Sequence, residues 1–523
     1  MSKQTKSIVG GMTVLGLTGI ICKLVGVLFS IPLTWMIGTD GLGIFQAVFP
    51  TYNLLLTVSS AGLPVAVSRM VSHCLAKDDP RNARRVFRVA LCLLAALGCI
   101  CTLFMLLGSR QLILMVNEPQ ALAGFQVIAP CVALVCVLSA FRGFMQGQQN
   151  MTPTAISQLI EQVGKVFVSL PLAYLGSRYG IAYGAAGALL GITIVEALAL
   201  LYMVILYFRR SGAFSSIPQL SEEAPLSGAT LSKRLMAISV PITISACIVP
   251  LAQFVDSTML VSRLMDAGIA REMARPLYGL FTGMVIRLIN VPTALALSIS
   301  MSLVPAISAA KAIEDYQTIN RQSDLGLRFA FLIGLPCSIG MSLLSKPIIS
   351  FFYQETLTAS ELQISSELLS MSSLTIVLFT VVQATSAILQ GLHKQRIPMY
   401  TLVAGVGCKI LLNYILVGIP SINIHGAPVA SIVCYSVSMI PNLCYVLKYG
   451  KVRFNWMGWL IRPGLATAVM GLSVWLMREL LPASRIMTLV EIAVAVVIYA
   501  GAALAFKAVS INDFHSFKRK KTT

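Results

Sequence analysis

Glu161 and Lys165 stand four residues apart in a stretch, Thr154 to Gly176, that carries no other charge. A spacing of four puts both side chains on one face of a helix. If that helix lies in a membrane, each ionised group costs roughly 2.5–3.5 kcal/mol at mid-bilayer. An exposed pair at this spacing returns only about 0.3–0.5 kcal/mol. The two groups therefore need a wet cavity or a further polar chain; a buried pair that fixes helix packing is the alternative role. A second lysine sharpens the first reading. Gln146-Gly147 is echoed by Gln390-Gly391, and Lys165 and Lys409 each lie 19 residues beyond the glutamine. Two such cations facing a water-filled cleft would bind an anion. Glu161 has no counterpart, because position 405 is Gly.

Five more charges are expected at membrane depth: Lys23, Glu196, Asp256, Arg287 and Glu491. Lys23 and Arg287 are candidates for the same cationic cavity. Asp256 is read as a site for a coupling cation or as a partner of Arg287, and Glu196 as a polar cavity group or a partner across helices. Glu491 and Arg142 fall near span ends, where a long side chain can snorkel to the interface.

Composition shows why lipid is the solvent to assume. The chain has 523 residues, 57% hydrophobic and 11% charged, with a mean hydropathy of +0.83. Its many apolar stretches exceed the ~18 residues that cross a hydrocarbon core. The net charge of +19 does not point to nucleic acid, because the charges fall in short loops between apolar runs. Twelve cysteines lie mostly within those runs, with no CxxC, and read as small packing residues. The four histidines (73, 393, 425 and 515) are scattered. Neither a metal site, nor a nucleotide-binding motif, nor a domain able to house an active site is legible, so the chain is not expected to be an enzyme and no cofactor is expected. The first apolar run is too long for a cleavable signal.

Fourteen spans are expected, at 8–37, 43–68, 86–108, 121–145, 155–176, 181–208, 234–262, 276–310, 326–350, 366–392, 398–418, 425–447, 457–480 and 486–508. Of the 39 lysines and arginines, 26 fall on one side of this arrangement and eight on the other. The basic side faces the cytoplasm, which places both termini there. Residues 77–88, KDDPRNARRVFR, predict a short surface helix with Asp79 as N-cap and Pro80 at N1.

The polar segment 209–233 reads as a cytoplasmic linker between a six-helix lobe at 1–208 and another at 234–448; residues 449–523 add two helices and a basic tail. GLPVAVSR (62–69) is echoed by SLVPAISA (302–309), MQGQQNMTP by LQGLHKQRIP, and YGAAGA (183–188) by HGAPVA (425–430). These matches place Pro64 opposite Pro305, an offset of 241, and indicate a duplicated unit. Two copies with an even number of spans are related by an axis along the membrane normal. The fold class is all-α polytopic membrane protein: two parallel six-helix repeats plus two C-terminal helices.

FRGFMQGQQNMTPTAISQLIEQVGKV (141–166) and GTDGLGIFQAVFPTYNLLLTVSSAGLPVAVSRMVS (38–72) resemble the stage V sporulation protein B group of polysaccharide exporters. That group belongs to the superfamily of multidrug, oligosaccharidyl-lipid and polysaccharide exporters, which also holds the MurJ-type lipid II flippases. The resemblance covers essentially the whole chain. It implies two lobes that alternate access and a cargo that is an undecaprenyl-pyrophosphate-linked sugar, moved between leaflets. It also implies a cationic cavity and a groove at the last two spans for the lipid tail. Members often carry Arg before the Ile-Pro of span 1, where this chain has Ser30.

The sequence reading is thus a flippase for lipid II or a related cell-wall glycolipid. Its substrate-binding cations are Lys165, Lys409, Arg287 and Lys23, and its polar or coupling groups are Glu161, Asp256 and Glu196. A coupling cation or the membrane potential would supply energy, with membrane lipids and cell-wall synthesis proteins as partners. The alternatives are a cation-coupled multidrug exporter on the same fold and a non-transporting scaffold for wall-synthesis enzymes.

Overall fold

The computed structural model describes residues 3–77, 79–215, 227–452, 454–480 and 484–508, and these are helical with no strand among them. Eleven helices among the described residues are long and apolar enough to cross a membrane. The chain is a polytopic membrane protein, and three features separate this number from the fourteen spans read from the sequence. The expected spans 8–37 and 43–68 are continuous as α1 (Lys3–Ser60) and count once, although the helix breaks between them at Gly38, whose φ 67° and ψ −175° are not helical. The spans expected at 155–176 and 276–310 are each divided by a π-helical turn, Lys165–Ser169 and Leu280–Val285.

By contacts the chain forms two compact units, Met1–Gly279 and Leu280–Thr523. Unit 1 continues from α1 with α2 (Leu63–Ala76), α3 (Pro80–Leu107), α4 (Ser109–Met115), α5 (Leu122–Gly147) and α6 (Thr152–Gly164). Beyond the π turn come α7 (Leu170–Ser177), α8 (Ile181–Ser215), α9 (Gly228–Asp266) and α10 (Arg271–Gly279). Helices α9 and α10 follow the linker in sequence yet pack on α1. Part of the reason is polar: Arg275 Nε donates to Glu118 Oε2 at 2.5 Å, Arg271 Nε to the Asn117 carbonyl at 3.1 Å, and Tyr278 Oη to the Gln46 carbonyl at 3.1 Å.

The centre of unit 1 is α5, packed by α2, α3 and α8. Phe87, Phe141, Phe144 and Tyr207 interlock there, with ring centroids 4.7 to 5.8 Å apart. Each such pair adds about 0.5–1.5 kcal/mol. Lipid tails are as apolar as leucine, so small residues that let backbones approach carry much of the remaining association. Gly164 of α6 shows this: a Cβ there would lie 2.6 Å from Val195 of α8.

Unit 2 contains α11 (Ile286–Ala312), α12 (Tyr316–Leu343), α13 (Ser345–Tyr353), α14 (Ala359–Ser372), α15 (Leu374–Gly391), α16 (Arg396–Val417) and α17 (Gly426–Gly450). The extra pair is α18 (Arg462–Leu480) and α19 (Arg485–Ala505). Its centre, α15, is packed by α11, α12 and α17, the pattern α5 makes in unit 1. The extra pair is fastened to α12: the buried Trp459 donates from Nε1 to Asp324 at 2.7 Å, and Arg328 Nε donates to the Ala508 carbonyl at 2.7 Å.

The repeat is exact enough to correct its register. Helices α3 and α12 both have 28 residues and are capped by Asp79 and Asp315, which accept from the amides of Asn82 and Thr318. The expected short surface helix at 77–88 is instead the first turns of α3, because the Asp79 cap and Pro80 launch a helix that nothing interrupts before Leu107. A Cβ on Gly147 would meet Val71 at 2.7 Å and the Ser68 carbonyl at 2.9 Å; one on Gly391 would meet Ile307 at 2.8 Å and the Val304 carbonyl at 3.2 Å. The caps and these contacts share an offset of 236, not the 241 that aligning Pro64 with Pro305 requires. Beyond the glycines the offset is 244, and α6 and α16 both begin at it. The eight additional residues of unit 2 therefore lie between α13 and α15.

Gly147→Val and Gly391→Val should each cost about 1–3 kcal/mol by overpacking, read as earlier thermal unfolding of the purified protein. Gly407→Val, where a Cβ meets nothing within 4 Å, should leave unfolding nearly unchanged. Equal behaviour of all three would refute the packing role.

Candidate functional site: a charge cluster inside unit 1

Glu161 is buried, and its partner is Arg142 of α5 rather than Lys165. Arg142 also donates from Nε to Ser157 Oγ at 2.9 Å, and Ser157 in turn donates to the Thr154 carbonyl at 2.8 Å. The sequence reading let Arg142 snorkel. The structure turns it inward, because Ser157 and Glu161 present two acceptors on one face of α6. Glu196 of α8 completes the cluster. It is 4% exposed, its carboxyl lies against that of Glu161, and its Oε2 is buried without a hydrogen-bond partner. The close approach of Gly164 to Val195 brings these two helices near enough for the carboxyl groups to meet.

Lys165 opens the π turn, half-buried, where its charge reaches Glu196, Cys131 and Cys22. Among the described residues it makes no ion pair. Inserting one residue per turn, as a π turn does, re-aims the side chains beyond it and often marks a functional position. Cys22 of α1 donates to the Gln158 carbonyl at 3.7 Å, and Tyr52 and Cys131 are hydrogen-bonded to each other at 3.3 Å.

The remaining sequence candidates are distributed. Asp256 is buried on α9. Arg287 opens the first turn of α11, half-buried, within electrostatic reach of Tyr353. Lys409 is half-buried on α16. Lys23 lies on α1, and its side chain is outside the described residues. Ser30 is fully buried, and its carbonyl accepts from Thr34 at 2.9 Å.

The repeat supplies a comparison within one chain. At the offset of 244, Arg142, Ser157 and Glu161 correspond to Ser386, Thr401 and Gly405; at 242, Glu196 corresponds to Ser438. These unit 2 residues also converge. Thr401 donates to Asn442 Oδ1 at 2.8 Å, Ser438 donates to the Thr401 carbonyl at 3.1 Å, and Asn442 Nδ2 reaches Ser386 Oγ at 3.5 Å. A Cβ on Gly405 would lie 2.5 Å from Ser438 Oγ. The matching positions thus carry a neutral hydrogen-bond network in unit 2 and charged side chains in unit 1, while the lysine is present in both.

The profile of the family described as polysaccharide biosynthesis protein matches residues 8–311, and that of the MatE family matches 241–415. The lipid II flippase MurJ of Bacillus subtilis (strain 168) is 25% identical over 472 residues, 86% of this chain and 85% of its own. Stage V sporulation protein B of the same organism is 27% identical over 431 residues, 82% of this chain and 81% of its own. The fold is shared with a structure of lipid II flippase MurJ in an inward closed conformation, at a TM-score of 0.70 and 14% identity over 94% of this chain and 98% of that one. It is also shared with an inward-facing multidrug resistance MATE family transporter of the MOP superfamily, at a TM-score of 0.68 and 17% identity over 83% of this chain and 96% of that one. Among these, MurJ is named a flippase and the MATE protein a transporter, and none is named an enzyme. The chain belongs to the polysaccharide biosynthesis protein family.

Proposed function

We propose that this protein carries an undecaprenyl-pyrophosphate-linked cell-wall precursor, lipid II or a related glycolipid, from the cytoplasmic to the outer leaflet by alternating access. The observation that carries this reading is the lysine pair. Of the membrane-depth charges on α6 to α8 and the turn between them, only Lys165 has a charged counterpart in unit 2, Lys409. The neighbouring positions diverged to neutral residues. A duplicated cation amid divergent neighbours suits a ligand that needs positive charge from both halves, and a pyrophosphate is such a ligand. Arg287, and Lys23 by its place on α1, are the further cations of this reading. The similarity to MurJ and stage V sporulation protein B supports a lipid-linked glycan as cargo.

No cofactor enters this reading. A negative cytoplasmic potential opposes outward movement of an anion but favours return of an empty cationic site, at about 2.3 kcal/mol per charge per 100 mV. Buried carboxylates at Glu161, Glu196 and Asp256, together with the shared fold of the MATE transporter, favour a second reading, a cation-coupled exporter of small drugs.

Cells depleted of their own lipid II flippase should grow when this chain is expressed. Lys165→Ala and Lys409→Ala should each abolish or strongly reduce that rescue at near-normal protein level, with Lys→Arg milder at both. A silent Lys409→Ala would refute the two-lysine site. The charge bias favours both termini in the cytoplasm, and the similarity to MurJ and stage V sporulation protein B supports a bacterial cytoplasmic membrane. In a background without reactive thiols, single cysteines at Ser221, which lies outside the described residues, and at Thr358, exposed at the cap of α14, should label from opposite faces, Ser221 from inside. Labelling of both from one face would overturn the orientation.

A further inference from the structure

Unit 2 shows that the crossing of α16 and α17 holds with neutral side chains. Unit 1 places three charges at the matching crossing, and one of them is left incomplete. Glu196 is more than nine-tenths buried and its Oε2 meets no hydrogen-bond partner. The group against it is another carboxyl, Glu161.

The charged and titratable groups of the described residues that act on the pair come from α1, α5 and the π turn. Arg142, from α5, is engaged by Glu161 and Ser157. Tyr52 of α1 and Cys131 of α5 are hydrogen-bonded to each other. Cys22 of α1 donates to the Gln158 carbonyl. Lys165, in the π turn, acts on Glu196 through its charge and makes no ion pair among the described residues. Among the described residues, none of these groups donates to Glu196 Oε2. Two carboxylates in contact and away from water cannot both stay ionised unless a donor stands between them, and a shared proton is the usual solution. A packing role alone would not select this arrangement, since Gly405 and Ser438 fill the matching positions in unit 2 at no electrostatic cost.

We propose that Glu161 and Glu196 form a proton-binding site inside unit 1, holding one proton between their carboxyl groups at neutral pH and exchanging it during transport. Lys165 is the group through which this proton communicates. With Lys165 free, its charge competes with the proton for Glu196. With an anion on Lys165, that competition falls and the proton binds more tightly. Anion and proton then favour each other reciprocally; this linkage, unlike the proton site itself, rests on the anion-binding reading of Lys165.

The site is tested without any cargo, so its failure and the failure of the flippase reading are separable. The full-length protein in lipid nanodiscs is titrated while infrared difference spectra follow the C=O stretch of protonated carboxyl groups, with deuterium exchange to identify it. The proposal expects a band at neutral pH, distinct from any that Glu491→Gln removes, that is lost on alkaline titration. Glu196→Gln should remove it. Glu161→Gln should remove it too, because Arg142 is then free to pair with Glu196. Glu491→Gln, which alters the other buried carboxylate oxygen without a partner among the described residues, should leave it in place. Should Glu196→Gln fail to fold, the triple variant R142S/E161G/E196S installs the neutral set of unit 2; it should unfold thermally as a cooperative protein and lack the band. Absence of the band in the parent protein, or its persistence in Glu196→Gln or the triple variant, overturns the site; its survival in Glu161→Gln overturns the sharing.

Discussion

A charge inside a hydrocarbon layer must be answered by another part of the protein, because no water is there to answer it. Unit 1 is arranged around one such answer, Arg142 on α5 to Glu161 on α6. Removing one partner of a buried pair costs about 3–5 kcal/mol, so α6 is tied in depth and rotation to α5, the helix on which α2, α3 and α8 also pack. Ser157 takes a second Arg142 donor and fixes the same face of α6. With α6 held, the close approach of Gly164 to Val195 sets Glu196 against Glu161. The position of Lys165 follows as well, since the π turn begins at that residue.

Unit 2 solves the same geometric problem with Ser386, Thr401, Ser438 and Asn442. Both place polar groups at a helix crossing, but they leave different chemistry behind. A neutral hydrogen-bond network is fixed once formed. A cluster of two carboxylates, an arginine and a nearby lysine can change its charge by one proton or by one bound anion. The duplication thus separates what the fold needs, which both units have, from what unit 1 adds.

Much of this was legible in the sequence. Apolar runs gave the membrane class, and Gln146-Gly147 against Gln390-Gly391 exposed the repeat and paired Lys165 with Lys409. The limits have physical causes. Period and hydropathy cannot show that a π turn divides a span. The match of Pro64 to Pro305 was five residues out of register, because a short motif rich in Val, Ala and Ser recurs easily on apolar helices. Helix caps and glycine contacts, which depend on geometry, gave the offset of 236. The partner of Glu161 was missed because an i,i+4 lysine is the nearer candidate in sequence. The available signal was the face shared by Ser157 and Glu161, four apart, which offers a guanidinium two acceptors.

The central claim is that positive charge at membrane depth, supplied by both repeats, moves a pyrophosphate-linked glycan across the bilayer. Its most direct measurement is transbilayer movement in vesicles holding the purified full-length chain, followed with labelled lipid II. The account predicts movement that the parent protein supports and that a Lys165→Ala/Lys409→Ala double variant, correctly inserted, does not. Equal movement by parent and double variant would contradict it, as would a correctly inserted parent that moves no polyprenyl-pyrophosphate-linked glycan at all.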